Sequence, residues 1–122
     1  MKTCLIVDDS RTIRGAVRRL VTELGFDTRE AANGAEGIEA CRKEKPDVVL
    51  LDWNMPVMNG MEFLQALPGA MNGELPPIIL CTTESSLDHI VEALAAGANE
   101  YIMKPFDKEI VESKFRQIGL LS

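Results

Sequence analysis

A chain of 122 residues is long enough for one domain and too short for two. Its 46% hydrophobic and 26% charged residues can build a sizeable core, and its net charge of −6 argues against a nucleic-acid surface. No apolar run approaches the roughly 18 residues of a membrane span, and "MKTCLIVDD" meets acid too soon for a signal peptide, so a cytoplasmic location is expected.

The first apolar run, "CLIV" (4–7), predicts strand 1. Ile13, Val17, Leu20, Val21 and Leu24 follow at helical spacing, with Ser10 as the cap and Gly25 as the stop. "DTREA" (27–31) predicts a second, half-polar strand. Asn33-Gly34 opens a second helix through Ile38 and Cys41 that stops before Pro46. "VVLL" (48–51) is the third strand, and 60–66 a short third helix. The Pro and Gly content of "PGAMNGELPP" (68–77) predicts a loop. "IILC" (78–81) is the fourth strand. Leu87, Ile90, Val91 and Leu94 form the apolar stripe of a fourth helix ending at Gly97. "YIM" (101–103) is the fifth strand, and Ile110, Val111, Phe115 and Ile118 mark the last helix. Cys4, Cys41 and Cys81 are far apart and odd in number, which predicts buried reduced thiols and no disulfide framework.

Strands alternating with helices imply a parallel sheet. Runs 4–7, 48–51 and 78–81 are apolar throughout and should be covered on both faces. The polar run 27–31 and the charge-flanked run 101–103 suit the edges. An α/β fold with a doubly wound five-stranded sheet of order 2-1-3-4-5 and five helices, the flavodoxin-like pattern, satisfies these conditions. Its strands all end on one edge, where order reverses between strands 1 and 3. Strand 1 ends at Asp8 and Asp9, strand 3 at Asp52, strand 4 at Thr82 and Thr83, and strand 5 at Lys104. Asp8, Asp9 and Asp52 should therefore meet, and three carboxylates in one place repel unless a cation joins them. All the donors are hard oxygens, which selects Mg²⁺ or a similar ion over zinc. A carboxylate nucleophile, a metal, an ammonium and the Thr82 hydroxyl together suit a phosphoryl group carried on Asp52. The turn from Asn54 to Gly60 lets backbone groups approach the metal.

"LIVDDS", "LLDWNMPVMNG", "CTTES" and "AGANEYIMKPF" together resemble the receiver domain of two-component response regulators, in particular its single-domain chemotaxis members. The resemblance spans residues 1–122, with no output domain expected. It implies Asp52 as phosphoacceptor, Mg²⁺ on Asp9, Asp52 and the Asn54 carbonyl, and Asp8 assisting through water. It further implies Lys104 on the phosphoryl group, and Thr82 and Tyr101 as a coupled switch. Asn54 and Glu84 would tune hydrolysis of the acyl phosphate. A partner face on helix 4, strand 5 and helix 5 would include Ile90, Met103 and Lys114, and the Lys104–Pro105 bond would be cis. Asn59 departs from the Asp common before that Gly in the family, outside the phosphorylation set. The implied partners are a histidine kinase or phosphotransfer protein upstream and a protein target such as a flagellar switch downstream. The protein would act as a monomer, without nucleic acid or membrane, and would catalyse only its own phosphorylation and dephosphorylation.

A phosphate sink or relay intermediate outside chemotaxis is the rival reading. An aspartyl-phosphate hydrolase would need a general acid where Asn54 stands, and Asn cannot supply a proton. No phosphate loop of a flavin carrier or nucleotide kinase is present. His89 is expected on the exposed side of its helix. Arg11, Arg14, Arg18 and Arg19 form either a solvated face or a dock for the kinase. Met55, Met58, Met61 and Met71 are expected to fill gaps in the core, and Trp53 to sit at the pocket rim.

Overall fold

The computed structural model describes residues 1–83 and 87–121, without the side chain of Leu87. Five strands, β1 (Thr3–Val7), β2 (Asp27–Ala31), β3 (Val48–Asp52), β4 (Ile78–Thr83) and β5 (Glu100–Lys104), alternate with α1 (Arg11–Glu23), α2 (Gly34–Lys43), α3 (Gly60–Ala70), α4 (Leu87–Ala96) and α5 (Lys108–Gln117). All strand pairs are parallel and the order is β2-β1-β3-β4-β5, the expected one, with the three apolar strands in the middle and the two polar ones at the edges. None of the described helices is long and apolar enough to cross a membrane.

Alternation along each strand divides the core into two layers. Leu5, Val7, Val49, Leu51, Ile78 and Leu80 face α2, α3 and α4 through Phe63, Leu64, Leu67 and Ala93. Cys4, Ile6, Val48, Leu50, Ile79 and Cys81 face α1 and α5 through Val17, Val21, Val111 and Phe115. Phe26 closes the second layer against Phe115, ring centroids 4.9 Å apart. The three thiols are buried and free.

Helix starts are set by side chains accepting the orphan N–H groups of the first turn. Ser10 accepts from Ile13, Asn33 from Glu36 and Asp107 from Ile110. At α3, Asn59 and Glu62 form a reciprocal capping box. This helix runs to Ala70, beyond the predicted end at Ala66, with Pro68 in its last turn. Phe63, Leu64 and Leu67 are all buried on the sheet, and their packing holds the turn that proline disfavours. The apolar stripe of α4 also differs from expectation. Ile90 and Ala93 are buried, whereas Val91 and Leu94 face out at 61% and 41% exposure. Ile90 and Ala93, three residues apart, thus share the inward side of the helix.

Candidate functional site

Register brings the polar strand ends level. Asp52 pairs with Cys81, Thr82 with Met103 and Thr83 with Lys104 along the edge where β1 and β3 lie side by side. Lys104 reaches across this edge. Its Nζ donates to Asp8 Oδ2 at 2.9 Å and to Asp52 Oδ1 at 3.1 Å. Asp8 is buried, and its other oxygen accepts the Ser10 N–H at 2.9 Å. Asp9 is exposed, yet it too offers an oxygen to the cluster. One oxygen from each of Asp8, Asp9 and Asp52 lies within 4.8 Å of the others.

Burial pushes the Asp52 carboxyl above the usual carboxylate range. Asp8 and Asp9 add to this, and Lys104 opposes it. Burial alone would lower the Lys104 ammonium, but its hydrogen bonds and charge pairing with Asp8 and Asp52 outweigh that and hold it above its ordinary value. One ammonium against three carboxylates leaves two negative charges, which a divalent cation would balance. The donors are all carboxylate oxygens, so the cluster fits a hard metal ion.

The loop after β3 is drawn in close. Gly60 donates to the Trp53 carbonyl at 2.9 Å, and a Cβ at Gly60 would meet the Asp52 carbonyl oxygen at 3.0 Å and Trp53 Cε3 at 2.9 Å. Asn54 is exposed just beyond Asp52. Thr82 is buried, with its hydroxyl 3.3 Å from the Thr83 carbonyl. By alternation with Leu80 it shares a sheet face with Tyr101, which pairs with Leu80 and packs half-buried on the same core layer. The Lys104–Pro105 peptide is cis, as expected.

Of the residues expected on a partner face, Met103 is exposed and Lys114 partly exposed, but Ile90 is buried. Val91 and Leu94 occupy the surface where Ile90 was expected. Glu84 lies outside the described residues. His89 is half-buried against Trp53 and not on an open helix side, and Trp53 belongs to the core and not to the pocket rim. Met55 is buried, and Met58, Met61 and Met71 pack on the core as expected. The arginines divide. Arg14 donates to the Asp8 carbonyl at 2.7 Å and pairs with Glu30 at 3.0 Å, and Arg18 pairs with the same glutamate at 3.7 Å. Arg11 and Arg19 are exposed. Sequence reasoning missed the role of Arg14 in fixing the end of β1. A basic residue one turn into a helix that follows an acidic strand end is the signal for it. An apolar groove of about 420 Å³, lined by Ile13, Ala16, Leu20, Pro105 and Phe106, opens beside Lys104.

The family model described as the response regulator receiver domain matches residues 4–116. A chemotaxis protein CheY homolog of Campylobacter jejuni is 39% identical over 116 residues, covering 93% of this chain and 89% of that protein. The chemotaxis protein CheY of Pseudomonas aeruginosa is 36% identical over 115 residues, covering 93% of both. The structure of chemotaxis protein CheY4 of Vibrio cholerae superposes with a TM-score of 0.89 at 35% identity, covering 97% of this chain and 98% of that one. Fold, site and sequence agree, and the chain belongs to the response regulator receiver domain family.

Proposed function

We propose that this receiver domain is a phosphorylation switch in which Asp52 accepts a phosphoryl group from a phosphohistidine and thereby changes a protein-binding face. The observation that carries the reading is the Lys104 ammonium bridging Asp8 and Asp52, with Asp9 in the same cluster. An Asp52 carboxylate oxygen attacks phosphorus, the P–N bond breaks, and its electron pair leaves on the imidazole nitrogen of the donor. Mg²⁺ held by Asp9, Asp52 and the Asn54 carbonyl, with Asp8 acting through water, would neutralise charge on the phosphoryl oxygens. Lys104 exchanges its contact with Asp52 for a phosphoryl oxygen. The Thr82 hydroxyl leaves the Thr83 carbonyl and donates to another, and Tyr101 moves into the space Thr82 vacates. Asn54 and Glu84, the residues that the family resemblance implies for this role, set the lifetime of the acyl phosphate.

The groove between Ile13 and Phe106, open beside Lys104, suits the approach of a kinase or phosphotransfer protein. Val91, Leu94, Met103 and Lys114 supply the output face. The names of the relatives support a chemotaxis target, and the buried free thiols suit the cytoplasm. Acetyl phosphate with Mg²⁺ tests the reading by intact mass. Wild type should gain one phosphoryl group, while Asp52→Asn and chelated wild type should gain none. Undiminished labelling of Asp52→Asn would overturn it.

A further inference from the structure

Around Tyr101 the side chains make an arrangement that the phosphorylation chemistry does not require. Glu100 Oε1 accepts the Tyr101 backbone N–H at 3.0 Å and also pairs with Lys114 Nζ at 3.3 Å. The same Nζ stands 5.3 Å from the centroid of the Tyr101 ring. Both charged side chains are only about a quarter exposed, at 24% and 23%, so this is not a loose surface pair. Glu100 opens β5 and Lys114 lies late in α5, so the contact ties the edge strand to the helix beside it. A carboxylate anchored by a backbone N–H holds an ammonium, and the ammonium in turn faces an aromatic ring that attracts cations.

We propose that Glu100 and Lys114 form a clasp over Tyr101 that holds the ring in its half-buried place and so sets how readily the switch turns. The inference rests on the reading of Tyr101 as the moving part. Glu100 is a positioning residue and acts through Lys114. Phosphorylation must then work against the clasp, and weakening it shifts the ring toward the position it takes in the phosphorylated protein, without touching the Asp8–Asp52–Lys104 chemistry. Because part of the clasp is an ion pair reached by solvent, added salt should loosen it.

Tyr101 is the only tyrosine in the chain, so 3-fluorotyrosine gives one fluorine resonance that reports on this ring alone. Glu100→Gln keeps an oxygen for the Tyr101 N–H and removes the charge. In the unphosphorylated protein its resonance should move from the wild-type position toward that of the acetyl-phosphate-treated protein. Lys114→Gln should do the same, and Lys114→Arg, which keeps a cation over the ring, should stay at the wild-type position. Raising salt should move wild type and leave Glu100→Gln in place. Phosphoryl uptake by Glu100→Gln should match wild type within about twofold. A Glu100→Gln resonance coincident with wild type, or one that responds to salt as wild type does, would overturn the clasp. The comparison with acetyl phosphate separates the two readings. Were wild type itself to take no phosphate, the switch reading would fail, while the fluorine shifts of the untreated variants would still decide the clasp.

Discussion

The indole of Trp53 lies against the imidazole of His89, ring centroids 5.5 Å apart and planes 31° from parallel. Trp53 directly follows Asp52, and His89 sits in the first turn of α4, so this contact joins the end of β3 to the helix bordering the output face.

Trp53 emission should therefore report on both events at the site. Mg²⁺ should change it through the neighbouring Asp52, and acetyl phosphate should change it again as α4 responds. In His89→Ala the Mg²⁺ response should remain and most of the phosphorylation response should disappear. A steady-state fluorescence titration of both proteins checks this. Emission indifferent to Mg²⁺, with no heat of binding by calorimetry, would remove the metal from the mechanism.

Asp52→Asn should be more stable than wild type near neutral pH. A carboxyl whose pKa is raised by folding favours the fold when protonated, and that contribution is lost as pH rises through the raised value. Asn removes the buried charge and its repulsion by Asp8 and Asp9, at the loss of the Lys104 pair. The expected net gain is about 1 kcal/mol, seen as a higher Tm near neutral pH and shrinking as pH falls toward about 4. Equal Tm values across that range would contradict the stated balance of burial and charge.

Val57 is 79% exposed and has φ 69°, and Met58 N–H donates across it to the Pro56 carbonyl at 2.8 Å. A β-branched residue at the centre of such a tight turn is strained. With almost no packing to lose, Val57→Gly should gain on the order of 1 kcal/mol, read from the urea midpoint with the slope unchanged.

Gly34→Ala should lose stability. Gly34 donates to the Met58 carbonyl at 3.1 Å, and an added Cβ would lie 2.6 Å from that oxygen, a backbone atom that cannot rotate away. The expected cost is about 1–3 kcal/mol, with the loop from Trp53 to Gly60 displaced. Urea unfolding measures the first, and loss of phosphate uptake at low Mg²⁺ the second.

Much of this is legible in the sequence, because the strands differ in polarity. Apolar runs at 4–7, 48–51 and 78–81 belong in the middle of the sheet, and placing strands 1 and 3 side by side there gathers Asp8, Asp9 and Asp52, with Lys104 reaching in from the edge strand β5. The facing of α4 was not legible, since Ile90, Val91 and Leu94 are alike in hydropathy, and which of them turns in depends on packing against other elements. Pro68 ended α3 on paper because local propensity is visible in sequence and the burial of Leu64 and Leu67 is not. The contacts of Arg14 with Asp8 and of Lys114 with Glu100 depend on side-chain reach between elements, which spacing along the chain does not encode.

Cys4, Cys41 and Cys81 are all unpaired and buried, and they sit in β1, α2 and β4 respectively. Burial pushes the Cys41 thiol up to about 11 and Cys81 up to about 12, and raises Cys4 as well. Thiols that are both hidden and protonated react with an alkylating reagent only when the segment holding them opens. The chain thus carries three internal clocks of local unfolding. Cys81 adjoins the strand ends that hold Asp52 and Lys104, so its alkylation times the opening of the phosphorylation site, while Cys41 times the far layer. Slower modification of Cys81 than of Cys41 on phosphorylation would locate the stiffening of the protein within one of its two core layers.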